Sequence, residues 1–396
     1  MAISRKINSA MSNSSWIRKL FETGIQLKKM YGEDKIFDFS LGNPDHEPPK
    51  AFKEALVKSA LEPIPGMHDY MSNAGYPETR RAVAETLVRQ SGLPFSENHI
   101  LMTVGAAGAL NTVLKTILDP GDEVIILSPY FVEYRFYIDN HGGVIKVVPT
   151  NDDFSIDLNA IDDALSVATK AIIINNPNNP TGVVYDADAL AGLGKLLQAR
   201  EKELGHPVYV ISDEVYAKLV YDGVTIPSVF KYIKNSILAT SYSKDLALPG
   251  ERIGYAAVSP KIDQVGRFMD GLIFCNRTLG FINAPALMQR LVTGLQHQSV
   301  DTARYQEKRD ILYDHLTAIG FKMVKPQGAF YLFPQSPLED DVEFINMALK
   351  FNILVVPGRG FGKPGYFRMA YCVDKQMILN SLPAFETLAK ELGLKP

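Results

Sequence analysis

The sequence predicts an α/β protein: a large domain built on a mostly parallel sheet covered by helices, and a small α+β domain. Three observations carry this. Short apolar runs alternate with helical stretches from about residue 99 to 258. Those runs are apolar on successive residues, as strands are when helices bury both of their faces. After about residue 285 the pattern changes to helices followed by short strands, which reads as a separate α+β unit.

Along the chain, Ser14 is placed to cap a helix through Trp16, Ile17, Leu20, Phe21 and Leu27. Strands are expected at His99–Val104, Glu123–Leu127, Val144–Val148, Ala171–Ile174, Val208–Ile211 and in the run Ser236–Thr240. DPGDE (Asp119–Glu123) and HGG (His141–Gly143) supply breaks between them. Helices follow at Pro285–Thr293 and Val300–Ile319, then short strands around Gly328–Phe333, Ile353–Val356 and Tyr366–Tyr371. A chain of 396 residues suits roughly two domains at about 100–200 residues each. We expect residues 46–285 to form the large domain and 286–396 the small one, with 1–45 packing on the latter.

Composition narrows the function. Apolar residues make up 46% and charged residues 21%, as in a globular protein in water. A net charge of −3 argues against nucleic acid or an anionic membrane as partner. No apolar run approaches the roughly 20 residues of a membrane span, and the N-terminus lacks the apolar core of a secretory signal. Cys275 and Cys372 stand alone without CxxC spacing, which suits a reducing cytoplasm and argues against structural zinc. The histidines are scattered and form no HExxH, so no metal is expected.

In a doubly covered parallel sheet, ligands bind beyond the carboxyl ends of the strands. ILMTV runs into Gly105-Ala106-Ala107-Gly108 and a helix, which fits either a tight turn or backbone amides approaching a phosphate. EVIILSP ends at Tyr130 and Phe131, rings for a crevice or for core packing. AIIINNPNNPTG carries four Asn in five positions, Asn175 to Asn179, and each buried amide needs partners. VYVISDEVY delivers Asp213 and Tyr216, and SILATSYSK delivers Ser241, Ser243 and Lys244, with Arg252 eight residues on. One kind of ligand uses this whole set: an aromatic aldehyde bearing a phosphate. The lysine amine would form a Schiff base with the aldehyde. Hydroxyls, the arginine and helix amides would hold the phosphate. The carboxylate would pair with a protonated ring nitrogen.

With these residues in place, positions 36 to 372 resemble the class I/II aminotransferases, pyridoxal-phosphate enzymes of fold type I. The S-x-S-K-x-x-x-x-x-G-x-R-x-G element appears as Ser241, Ser243, Lys244, Gly250, Arg252 and Gly254; NPTG is Asn179–Gly182; D-x-x-Y is Asp213 and Tyr216. The resemblance implies pyridoxal 5'-phosphate as cofactor, with Lys244 as its anchor and the base that moves the Cα proton. It implies that Asn179 and Tyr216 bond the cofactor's phenolic oxygen, that its ring stacks on Phe131, and that the amides of Ala106 and Ala107 reach its phosphate. Tyr70 in DYMSNAGYPETR matches a tyrosine lent to the neighbouring subunit, so a homodimer is implied. Arg368 in GYFRMAY matches the arginine that grips the substrate α-carboxylate, and Gly42 in SLGNPD a glycine beside it. Some members pair a distal carboxylate with a lysine where this chain has Ala107. Others use a partner-chain arginine, for which Arg277 in FCNRTLG is the nearest counterpart.

The expected reaction moves an amino group between an L-amino acid and a 2-oxo acid, with 2-oxoglutarate as the expected acceptor and aspartate, neutral, branched or aromatic donors all open. Carbon–sulfur lyases and amino-cyclopropane synthases share the lysine–phosphate constellation, and DLALPGERIGY resembles the synthases locally. A non-catalytic regulator on this fold is a further alternative; such proteins usually carry an added DNA-binding domain, and none is expected before residue 36.

Overall fold

Six of the expected apolar runs, joined by an unexpected strand at Gly254–Val258, become one sheet. In chain order the strands are β1 (Phe37–Asp38), β2 (Ile100–Thr103), β3 (Glu123–Ser128), β4 (Val144–Pro149), β5 (Thr169–Asn175), β6 (Tyr209–Asp213), β7 (Ser236–Ser241), β8 (Gly254–Val258), β9 (Tyr331–Leu332), β10 (Ile353–Leu354), β11 (Val356–Pro357) and β12 (Phe367–Ala370). The large sheet has the order β2-β8-β7-β6-β5-β3-β4. Its β8 strand is antiparallel to both neighbours, while the pairs from β7 to β4 are parallel. This is a computed structural model, and it describes residues 3–13 and 35–395 together with Gly24, Gln26, Lys29 and Gly32. The residues that define the expected Ser14-capped helix lie outside those described.

The pleat explains why the central runs are apolar throughout. Successive side chains point to opposite faces. Ile172 and Ile174 join Ile125, Leu127, Val210 and Leu238 in the core against helices Pro77–Ser91 and Ala187–Leu204. Ala171 and Ile173 join Val124, Ile126, Ile211 and Ile237 in the core against helices Gly105–Ile117 and Val265–Thr278. Helices therefore cover both faces. β4 departs from the expectation of burial on both faces: it is an edge strand, and Val144 and Val147 are half exposed. The helix after β2 also starts earlier than expected, at Gly105, so the small residues form its first turn.

A further core gathers Phe39 with Phe330, Phe333, Phe344, Phe367 and Phe385. It is enclosed by the antiparallel sheet β11-β12-β9, the parallel pair β1-β10, and helices Thr302–Ala318, Asp341–Lys350 and Lys375–Glu391. Asp301, Asp340 and Asp374 each accept a backbone N–H at the start of these helices, a cap worth typically about 1 kcal/mol. The side chains of helix Ala286–Thr293 instead enter the core beneath the large sheet. Among the described residues no helix is long and apolar enough to cross a membrane.

Candidate active site

The strands β2, β3, β5, β6 and β7 share one direction, so their carboxyl ends meet at one edge of the sheet. β6 ends in Asp213, β5 in Asn175, and β7 in Ser241 with Lys244 three residues beyond. The Asn-rich segment after β5 is an internally bonded loop. Asn175 Nδ2 donates to the Asp213 carbonyl at 2.9 Å, and its Oδ1 accepts from the Asn179 N–H at 2.6 Å. Asn176 exchanges bonds with the Tyr185 backbone, and Asn178 Oδ1 accepts from the Thr181 N–H. Three of the four amides thus shape the loop that presents Asn179.

At β2 the chain turns into helix Gly105–Ile117 with Gly105 at φ +78°. A Cβ there would stand 3.0 Å from Arg252 Nη2, so glycine lets the arginine lie against the helix start. Ala106 and Ala107 occupy the first turn, where backbone N–H groups have no intrahelical acceptor. Arg252 is itself in the left-handed region at φ 52°, and its Nη1 donates to the Pro249 carbonyl at 2.8 Å. Ser241 and Ser243, eleven and nine residues before it, are buried, the Ser243 N–H reaching Ser241 Oγ at 3.4 Å.

Lys244 Nζ donates to the Gly42 carbonyl at 2.9 Å and lies 5.2 Å from the centre of the Phe330 ring. Burial pushes this amine down to about 8, with the Arg368 and Arg252 charges adding to the effect against an opposing pull from Cys372. Asp213 is pushed up to about 6 by burial, opposed by the hydrogen bond from Tyr134 and the electrostatic pull of the Val215 backbone N–H. Its Oδ2 accepts from the Tyr134 hydroxyl at 2.6 Å, while its buried Oδ1 has no partner among the described residues. Phe131 is half buried, its ring edge-on to Tyr134 with centroids 5.5 Å apart.

Arg368, on β12, is buried. Nη1 donates to Asn179 Oδ1 at 3.2 Å and Nη2 to the Ser40 carbonyl at 2.8 Å, while Nε has no partner. The guanidinium lies 4.5 Å from the Tyr331 ring centre and 4.7 Å from that of Phe361. Tyr216 bonds Tyr331 hydroxyl to hydroxyl at 3.0 Å. Gly42 must be glycine, because a Cβ there would fall 2.0 Å from the Tyr331 hydroxyl.

Contacts therefore run from Lys244 to Gly42, from Gly42 to Tyr331, and from Tyr331 to both Tyr216 and Arg368, with Asn179 on Arg368; Asp213 and Arg252 lie within the same group of strand ends. A single chain does not bring Tyr70 or Arg277 to them. Tyr70 is 91% exposed, and Arg277 is exposed, its guanidinium 5.4 Å from the Phe274 ring. Sequence reasoning missed Tyr134, Tyr331, Phe330 and Cys372. For Tyr134 a signal existed: it stands three residues beyond Phe131 on the same strand-end segment.

The residues fit pyridoxal phosphate. A buried carboxylate oxygen with no partner suits a protonated ring nitrogen, since an unpaired buried acceptor is costly. Arg252 at a helix start with open amides suits a phosphate. Residues 34–385 match the family model described as "Aminotransferase class I and II". The chain is 35% identical to the aspartate/prephenate aminotransferase of Thermus thermophilus over 360 residues, 89% of this chain and 90% of that one. It is 32% identical to aromatic-amino-acid aminotransferase 2 of Thermococcus litoralis, with 100% of both chains covered. Among solved structures, an amino transferase from Eubacterium rectale superposes with a TM-score of 0.96 at 37% identity, covering 99% of each chain. The Thermus thermophilus aspartate aminotransferase with maleate gives 0.84 at 29% identity, covering 98% of this chain and 99% of that one. This chain belongs to the class I and II aminotransferase family.

Proposed function

We propose that this aminotransferase moves the amino group of an L-amino acid to 2-oxoglutarate, using pyridoxal phosphate anchored on Lys244. The observation that carries the reading is the half-satisfied Asp213 carboxylate, buried with one oxygen on Tyr134 and the other free. When bound, the cofactor supplies an electron sink for negative charge at the substrate Cα. Asp213 would hold the proton-bearing ring nitrogen, and Phe131 would pack against the ring. Tyr216 and Asn179 would bond the phenolic oxygen. Ser241, Ser243, Arg252 and the Ala106 and Ala107 amides would hold the phosphate.

Arg368 receives the substrate α-carboxylate in a geometry that two existing hydrogen bonds and two flanking rings restrain. Gly42 lies beside it. Lys244 Nζ, lowered to about 8, is an amine with an appreciable unprotonated fraction near neutral pH. It can take a proton from the substrate Cα and return it. The names of the relatives support acidic and aromatic donors. A screen of L-amino acids with 2-oxoglutarate, reading glutamate formed, tests the reading; release of a keto acid without glutamate would favour a lyase instead.

We also propose that the active unit is a homodimer in which Tyr70 and Arg277 reach the partner's site. Support comes from their common face. Asn283 Nδ2 donates to the Ser72 carbonyl and Asn276 Nδ2 to that of Asn73, so the loop after Tyr70 lies against the end of the Arg277 helix. Phe274 and Ile282 are exposed there too.

A further inference from the structure

Tyr331 stands where several groups of the site meet. Its hydroxyl is 3.0 Å from that of Tyr216. Its ring lies 4.5 Å from the Arg368 guanidinium. It occupies the space that only a glycine at position 42 leaves free, and the carbonyl of that glycine accepts from Lys244 Nζ. Lys244, Tyr216 and Arg368 thus each reach Tyr331 directly or through one residue.

Burial pushes the Tyr331 phenol up to about 12, and Tyr216 higher still, so both keep their protons at neutral pH. Each phenol has one proton to donate. If Tyr216 donates to the cofactor, the proton in the bond between the two tyrosines has to come from Tyr331. The ring has a separate task. A guanidinium over an aromatic face is held by the ring quadrupole, more strongly where water is excluded. Among the described residues Arg368 Nε has no partner, so its rotation is limited by the bonds of Nη1 and Nη2 and by the two rings.

We propose that Tyr331 is a positioning residue with two separable actions: its hydroxyl donates to Tyr216 and so aims the Tyr216 proton at the cofactor's phenolic oxygen, and its ring fixes the Arg368 guanidinium for the substrate carboxylate. This rests on the roles given above to Arg368 and Tyr216. Tyr331→Phe removes the hydroxyl and keeps the ring, while Tyr331→Leu removes both.

The test uses the holoenzyme of each variant. Maleate and 3-phenylpropionate are titrated as unreactive carboxylates, with binding read from the visible absorption of the cofactor, and kcat and KM are measured separately. Tyr331→Phe should bind both probes within about twofold of wild type while kcat falls by up to about tenfold, the loss of one net hydrogen bond. Tyr331→Leu should weaken both probes by about tenfold. Probe binding weakened equally in the two variants, or kcat unchanged in Tyr331→Phe, overturns the inference while leaving Arg368 in place. Failure of the wild type to bind either probe removes Arg368 as the carboxylate site, and the inference falls with it. Should Tyr331→Leu fail to fold, the contrast between kcat and probe binding in Tyr331→Phe still decides.

Discussion

The Tyr134 hydroxyl donates to Asp213 Oδ2 at 2.6 Å, and the other oxygen of that buried carboxylate has no partner. The arrangement leaves a charge half compensated. Burial raises the Asp213 carboxyl from 3.8 to about 6 despite the Tyr134 bond. A carboxyl raised on folding favours the folded chain below pH 3.8, and that advantage is lost as pH rises through about 6. At neutral pH the cofactor-free protein therefore carries a cost of up to about 3 kcal/mol at this site. A protonated ring nitrogen donating to this carboxylate would relieve it. The rise in Tm on adding pyridoxal phosphate should be larger at pH 7.5 than at pH 5, and Asp213→Asn should flatten that difference. A cofactor-induced rise with the same pH dependence in Asp213→Asn would remove the carboxylate from the ring nitrogen.

The same residue should dominate turnover. Asp213→Asn keeps the shape and loses the charge, so kcat should fall by several orders of magnitude with a smaller effect on cofactor affinity. Wild-type rates in Asp213→Asn would show that the carboxylate does not tune the ring.

Lys244 is pushed the opposite way, from 10.5 to about 8, chiefly by burial. For an amine lowered on folding, stability is fully present above 10.5 and is lost as pH falls through about 8. The neutral amine is also the form that attaches a carbonyl. Reconstitution of the cofactor-free protein should thus speed up with pH and level off above about 8. Borohydride should then fix the cofactor on the peptide that contains Lys244. Labelling of another lysine would end the assignment, and Lys244→Ala should bind cofactor without the imine absorption and lose nearly all turnover.

Lys244, Asp213 and Asn179 were legible because each follows a buried apolar run, and the direction of parallel strands gathers such ends at one edge. Tyr331 was not, since its partner Tyr216 lies 115 positions away, and although Tyr134 stands near Phe131, its pairing with Asp213 spans 79 positions. No periodicity measures distance across that much chain. β4 reads like its neighbours because edge and central strands share β-branched runs, and only the sheet order tells them apart. Tyr70 and Arg277 are ordinary exposed side chains on one subunit, so only the family resemblance gave them a role.

Arg368 offers a further check. Its planar fork is held by Asn179 and Ser40, and a lysine cannot reproduce two parallel donors. Arg368→Lys and Arg368→Ala should raise KM for the amino donor and the 2-oxo acid alike, with kcat/KM lower by roughly 2–5 kcal/mol in transition-state terms. KM values near wild type in both variants would place the α-carboxylate elsewhere.

Arg277 is the residue proposed to hold the distal carboxylate of a dicarboxylic acceptor. A carboxylate removed from water needs a cation, and Ala107 leaves that need unmet in the helix start. Arg277 is exposed beside Phe274, on the face that carries Tyr70, and would meet the acceptor only in a dimer. Two measurements follow. Sedimentation at assay concentration should show a dimer, and a fully active monomer would remove both residues from the site. With the dimer in hand, Arg277→Ala is assayed with 2-oxoglutarate and with pyruvate. Loss of the distal pairing should lower kcat/KM for 2-oxoglutarate by roughly 2–4 kcal/mol and leave pyruvate nearly unchanged. Equal losses with both acceptors would assign Arg277 to the interface or the cofactor phosphate, because those serve every acceptor alike.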